Sequence, residues 1–143
     1  MQGIHILLVD DNEGDILLTR EALEEARIVN KISIAHDGME AIQFLRNNRP
    51  FGGEKPDLIL LDINLPKMDG KEVLGIIKND PDLRRIPVIM LTTSSSEKDI
   101  FTSYDNHANC YITKPVDLEK FMDVVRTIED FWISIVKLPK AAS

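Results

Sequence analysis

Five residues of this chain have side chains suited to handling a charged group. They are the carboxylates Asp10, Asp11 and Asp62, the hydroxyl of Thr92 and the ammonium of Lys114. Each ends or directly follows a short strand-like run. Ile4 to Val9 leads into Asp10-Asp11, Ile59-Leu60-Leu61 into Asp62, Val88 to Leu91 into Thr92, and Asn109 to Thr113 into Lys114. Two carboxylates about 4 Å apart repel by roughly 4 kcal/mol at an effective dielectric near 20, so three held together need a cation or protons. Oxygen ligands with open positions for water suit Mg²⁺, and a magnesium site is the expectation. A lysine at the same spot can balance one carboxylate or meet a phosphoryl oxygen as a point charge. Taken one at a time these residues have plainer readings. Asp10 and Asp11 can cap a helix, Asp62 can sit in a turn, Thr92 can simply end a strand, and Lys114 can be a solvated surface lysine.

Whether the five converge depends on the elements that carry them. A continuous apolar run bounded by turn residues reads as a strand buried on both faces, and so as part of a parallel sheet. Such a strand delivers its last residue to the carboxyl edge, where open α/β folds place their ligands. Strands are predicted over 4–9, 31–36, 57–61, 88–91 and 109–113, the second nearer an edge because it alternates polar with apolar. Helices follow each of them. The first runs from the cap-rich stretch 10–15 to about Arg27, the second is marked by Ala41, Ile42, Phe44 and Leu45 and ends in polar Asn47-Asn48, and the third starts near Lys71. Ser94 and Glu97 are spaced as a capping box for a fourth helix, and Asp117 caps the last. Asn47 to Pro56, with two prolines and two glycines, reads as loop. This alternation predicts one α/β domain over 1–143, a doubly wound five-stranded parallel sheet with helices on both faces. Its core is expected over about 3–128, with a helical extension and tail over about 129–143.

Composition narrows the function classes. A net charge of −7 makes the chain a poor tracker of nucleic-acid phosphates, so no nucleic-acid partner is expected. One cysteine, Cys110, excludes an internal disulfide and suits a reducing compartment. The opening residues already follow a strand pattern and no apolar run is long enough to cross a bilayer. A cytoplasmic protein without a signal peptide or membrane partner is the expectation.

Five fragments in order carry a resemblance: Leu8-Val9-Asp10-Asp11-Asn12; Leu60-Leu61-Asp62-Ile63-Asn64-Leu65-Pro66; Met68-Asp69-Gly70; Leu91-Thr92; and Tyr111-Ile112-Thr113-Lys114-Pro115. Together they make the chain resemble, over essentially its whole length, the receiver domain of two-component response regulators, which has the flavodoxin-like receiver fold. The resemblance implies that Asp62 accepts a phosphoryl group from a histidine kinase. It implies that Asp11, Asp62 and the main-chain carbonyl of Asn64 ligate Mg²⁺, with Asp10 acting largely through water. It also implies that Thr92 and Lys114 meet the phosphoryl oxygens, and that Thr92 and Tyr111 couple the site to the surface as a two-state switch. The only chemistry expected is self-catalysed phosphoryl transfer to Asp62 and its hydrolysis, not turnover of a separate substrate.

Other classes fit less well. A haloacid-dehalogenase-type phosphatase wants a second acid/base aspartate two residues after the nucleophile, and position 64 is Asn. A flavodoxin-like flavin binder would offer hydroxyls and amides to a phosphate in its first loop, where Asp10-Asp11-Asn12-Glu13 repels one. A phosphate-independent receiver-like binding module is the remaining alternative.

The end of the chain bears on output. Leu118, Phe121, Met122, Val125, Ile128, Trp132, Ile135 and Val136 recur at helical spacing, which predicts a last helix about 30 Å long at 1.5 Å per residue. Phe131, Trp132, Ile133 and Ile135 put apolar groups on more than one side of its end. They either fold back over the domain or form a patch that a partner covers. A homodimer through the fourth helix, the fifth strand and the last helix is the preferred reading. No output domain is expected after the last helix, and a stand-alone regulator acting through protein contacts is the expectation. The extended last helix and the long loop before the third strand resemble the small regulators paired with bacterial, and especially cyanobacterial, phytochromes.

Overall fold

The structure, a computed structural model, describes residues 3–47, 55–93 and 110–132. In chain order these form β1 (Ile4–Val9), α1 (Glu13–Glu24), β2 (Val29–Ala35), α2 (Gly38–Asn47), β3 (Leu58–Asp62), α3 (Gly70–Asn79), β4 (Val88–Thr92), β5 (Cys110–Thr113) and a last helix, Leu118–Trp132. The strands make one five-stranded sheet in the order β2-β1-β3-β4-β5, and every neighbouring pair is parallel.

The apolar runs explain the layering. Because successive side chains point to opposite faces, a run that is apolar throughout feeds two cores. Leu7, Val9, Ile59, Leu61, Val88 and Met90 pack on one face with Ala41, Ile42 and Leu45 of α2 and Val73, Leu74 and Ile77 of α3. Ile6, Leu8, Leu58, Leu60, Ile89 and Leu91 pack on the other with Ile16 and Leu23 of α1 and Phe121, Val125 and Ile128 of the last helix. Helices therefore cover both faces, as the alternation predicts.

Local chemistry sets the helix starts. Asn12 caps α1 by accepting from the Asp15 N–H, and Asp69 caps α3 by accepting from the Glu72 N–H. Asp117 accepts from the Lys120 N–H at the start of the last helix, the cap expected there. Helix α1 is shorter than predicted. The Glu25 and Ala26 N–H groups bond back to the carbonyls of Ala22 and Leu23, three residues away, and tighten the chain into a turn. Val29 then opens β2 two residues earlier than predicted, and β2 is an edge strand as its alternation implied. The expected fourth helix, most of the loop after α2, and the tail from Ile133 lie outside the described residues, as do the side chains of Phe131 and Trp132. Among the described residues, no helix is long and apolar enough to cross a membrane.

Candidate functional site

The register of the sheet brings the predicted residues together. Val9 pairs with Leu61, so the next residues, Asp10 and Asp62, emerge side by side at the carboxyl edge. Asp62 pairs with Leu91 and Thr92 with Thr113, which puts Thr92 and Lys114 on the same edge. β1 has β2 on one side and β3 on the other. That reversal of strand order is where an open α/β sheet leaves a crevice for a ligand. The site is thus the direct product of four strand ends, those of β1, β3, β4 and β5.

Ligand oxygens of Asp10, Asp11 and Asp62 lie within 4.8 Å of one another. Asp10 and Asp62 are buried and Asp11 is exposed at the mouth. Lys114 reaches over this group: its Nζ donates to Asp62 Oδ2 at 2.8 Å and to Asp15 Oδ2 at 3.0 Å. It also stands 2.9 Å from Asp10 Oδ2, an ion-pair contact without hydrogen-bond alignment. The other oxygens are held by main-chain donors, Asp10 Oδ1 by the Asn12 N–H and Asp62 Oδ1 by the Asn64 N–H, both at 3.0 Å. Asp10 and Asp11 are not the cap of α1; Asn12 is, which frees the acidic pair.

Burial pushes the Asp62 carboxyl above its ordinary pKa; the Lys114 hydrogen bond and the Asn64 N–H pull it back, and the Asp10 charge adds to the rise. Burial pulls the Lys114 ammonium down, but its contacts with Asp62, Asp10 and Asp15 outweigh that and leave its pKa raised. The site therefore holds one firmly protonated lysine among more carboxylates than it can neutralise. The hard oxygens of Asp10, Asp11 and Asp62 fit Mg²⁺ by ligand type, and the excess negative charge favours a cation there.

Thr92 is fully buried, and its Oγ1 has no hydrogen-bond partner among the described residues. Leaving a buried hydroxyl unmade costs about 1–3 kcal/mol, a sign of a group kept for a ligand. Tyr111 is half-buried on the edge strand β5 and packs against the core on the α2–α3 face. Asn64 is exposed two residues past Asp62. The Lys114-Pro115 peptide bond is cis.

Sequence reasoning missed Asp15. It counted only as one of the cap-forming residues before α1, yet its carboxylate meets a lysine 99 positions away. The available signal was weak, an acidic residue in the first turn of a helix whose start adjoins the acidic pair.

Buried carboxylates, a lysine and a hydroxyl with no hydrogen-bond partner among the described residues thus meet at the strand ends of an α/β domain with sheet order 2-1-3-4-5. The model of the response regulator receiver domain matches residues 6–126, and the chain belongs to that family. It is 47% identical over 137 residues to the response regulator Rcp1 of Synechocystis sp., covering 95% of this chain and 93% of that protein. The crystal structure of the phosphorylated cyanobacterial phytochrome response regulator RcpA is similar at 50% identity and a TM-score of 0.71, covering 92% of this chain and 95% of that one. The Mn²⁺-bound form of Rcp1 is similar at 46% identity and a TM-score of 0.69, covering 93% and 96%.

Proposed function

We propose that this receiver domain is switched by phosphorylation of Asp62, with Asp10, Asp11, Asp62 and the Asn64 main-chain carbonyl holding Mg²⁺. The observation that carries the reading is the convergence on one sheet edge of three carboxylates, the Lys114 ammonium and the Thr92 hydroxyl, which has no partner among the described residues. Phosphoryl transfer needs an in-line nucleophile and neutralisation of the equatorial oxygens. An Asp62 oxygen attacks phosphorus, and an O–P bond forms as the bond to the donor histidine breaks. Lys114 meets the developing negative charge, and the Thr92 hydroxyl donates to a phosphoryl oxygen. Bound Mg²⁺ would supply further positive charge there. Water later hydrolyses the acyl phosphate, so the domain resets itself and turns over no separate substrate.

The donor in this reading is a sensor histidine kinase, and a phytochrome is the favoured kind because the similar RcpA is a cyanobacterial phytochrome response regulator. Thr92 moving toward the phosphoryl group lets the Tyr111 ring turn inward, giving a two-state element biased by one local charge change. Output runs through protein contacts in the cytoplasm. A homodimer through β5, the last helix and the segment between β4 and β5 is the favoured form, with the whole of 1–143 acting as one unit.

Intact mass after incubation with acetyl phosphate, with and without Mg²⁺, tests the core of this proposal. One phosphoryl adduct that requires Mg²⁺ and is absent from Asp62→Asn is expected. Folded wild-type protein that gains no adduct would turn the reading toward a phosphate-independent binding module.

A further inference from the structure

The geometry points to Asp15 as a positioning residue that anchors the Lys114 ammonium; this deepens the proposed function and rests on it for its catalytic meaning. Lys114 has three carboxylate contacts, and two of them belong to residues already placed in the site. The third, Asp15 Oδ2 at 3.0 Å, comes from a different element, the first turn of α1. The contact is braced by hydrogen bonds and one ion pair that link the main chain at Asp15 to the Lys114 ammonium through Asn12 and Asp10. The Asn12 N–H donates to Asp10 Oδ1, and Asn12 Oδ1 accepts from the Asp15 N–H at 2.9 Å. Asp15 then accepts from Lys114, and Lys114 returns to Asp10 at 2.9 Å. The ring closes through four residues.

This ring matters when the acceptor changes. While Asp62 is a free carboxylate it accepts from Lys114 at 2.8 Å. Once its oxygen is bonded to phosphorus, that partner is altered, and a lysine held only by Asp62 and Asp10 has lost half its support. Asp15 lies outside the reacting group and keeps the ammonium at the sheet edge throughout. Lysine carries a long, rotamer-rich stem, so fixing its head before the phosphoryl group arrives lowers the ordering cost at that moment. Asp15 is partly solvated, with 40% of its side chain exposed, so its contribution is moderate.

Two measurements on the full chain test this. In metal-free protein the Lys114 Nζ–H₃⁺ NMR signal is expected to be sharp, to broaden in Asp15→Ala and to return in Asp15→Glu. With acetyl phosphate and Mg²⁺, Asp15→Ala is expected to slow adduct formation about two- to five-fold, the scale of a partly exposed ion pair. Half-saturating acetyl phosphate and Mg²⁺ affinity should stay unchanged. In a Lys114→Met background, Asp15→Ala should slow the reaction no further, since it acts through the lysine. A purely structural role, such as support of α1, would slow both backgrounds alike and overturn the inference. So would an unchanged Lys114 signal, or a loss of Mg²⁺ affinity that made Asp15 a metal ligand. Asp15→Asn, which keeps the shape and the main-chain bond to Asn12, serves if Asp15→Ala fails to fold. Wild-type protein that takes up no phosphoryl group would defeat the proposed function, while the NMR comparison would still decide the anchor.

Discussion

Gly70 shows how a single residue governs the acceptor from outside the charged cluster. A Cβ there would collide with the main-chain carbonyl of Asp62 and lie 2.8 Å from Ile63 Cα. Both obstacles are backbone, so no side chain can swing aside. The close approach is what lets the Gly70 N–H bond to the Ile63 carbonyl at 2.9 Å and seat α3 on the end of β3. Gly70→Ala is therefore expected to destabilise the fold by about 1–3 kcal/mol, as overpacking of a tight contact does. Because the displaced atoms belong to Asp62 and Ile63, phosphoryl uptake should fall as well. Denaturant unfolding beside the acetyl phosphate assay checks both. An alanine variant with wild-type stability and wild-type uptake would show that the contact does not matter.

At the scale of elements, α3 is tied to the connector before β4 by one half-buried amine. Lys78 Nζ donates to the carbonyls of Arg84 at 3.1 Å and Ile86 at 2.9 Å, and burial pulls its pKa down to about 8. Between that value and the ordinary 10.5 the unfolded chain binds more protons than the folded one, so stability from this group rises with pH across the window. Below it the lysine is charged in both states and contributes no slope. Wild type should accordingly gain stability relative to Lys78→Met as pH rises from about 8 to 10, measured by urea unfolding of both proteins. Parallel pH curves would remove Lys78 as the cause. The same scale shows what the sequence makes legible. β1 and the α2 region follow directly from apolar runs and turn residues, and all five described strands fall within two residues of their predicted bounds. Strand ends also carried the five site residues, because a parallel strand that finishes in a polar residue has only one place to put it. The end of α1 was harder to read. Ala26, Arg27 and Ile28 suit a helix as well as a turn, and only the register of β2 against β1 selects the turn. Asp15 lay further out of reach, since its partner is fixed by folding and not by neighbours in the chain.

For the molecule as a whole, a metal that binds only the folded state must stabilise it by mass action. At a hundredfold excess over its dissociation constant that gain is about 2.7 kcal/mol, or several degrees in Tm for a domain of this size. Adding Mg²⁺ should raise the thermal midpoint of the wild type, and removing it with a chelator should lower it again. The increment should shrink strongly in Asp11→Ala, whose carboxylate is exposed and contributes little else to the fold. Equal shifts in both proteins would mean that the ion acts away from this cluster.

The strand order has one more consequence, which concerns synthesis. The ribosome delivers Asp10, Asp11, Asp15 and Asp62 well before Lys114. At about 5–20 residues per second, the acidic group waits roughly 3–10 s for its cation after Asp62 is made. During that interval β1 and β3 can pair, yet their carboxyl ends repel one another. Magnesium in the surrounding solution can fill the role until β5 arrives. The last strand then does two jobs at once: it closes the sheet against β4 and brings the permanent counter-charge. A nascent chain short of residue 114 should accordingly lean on the cation far more than the finished protein does.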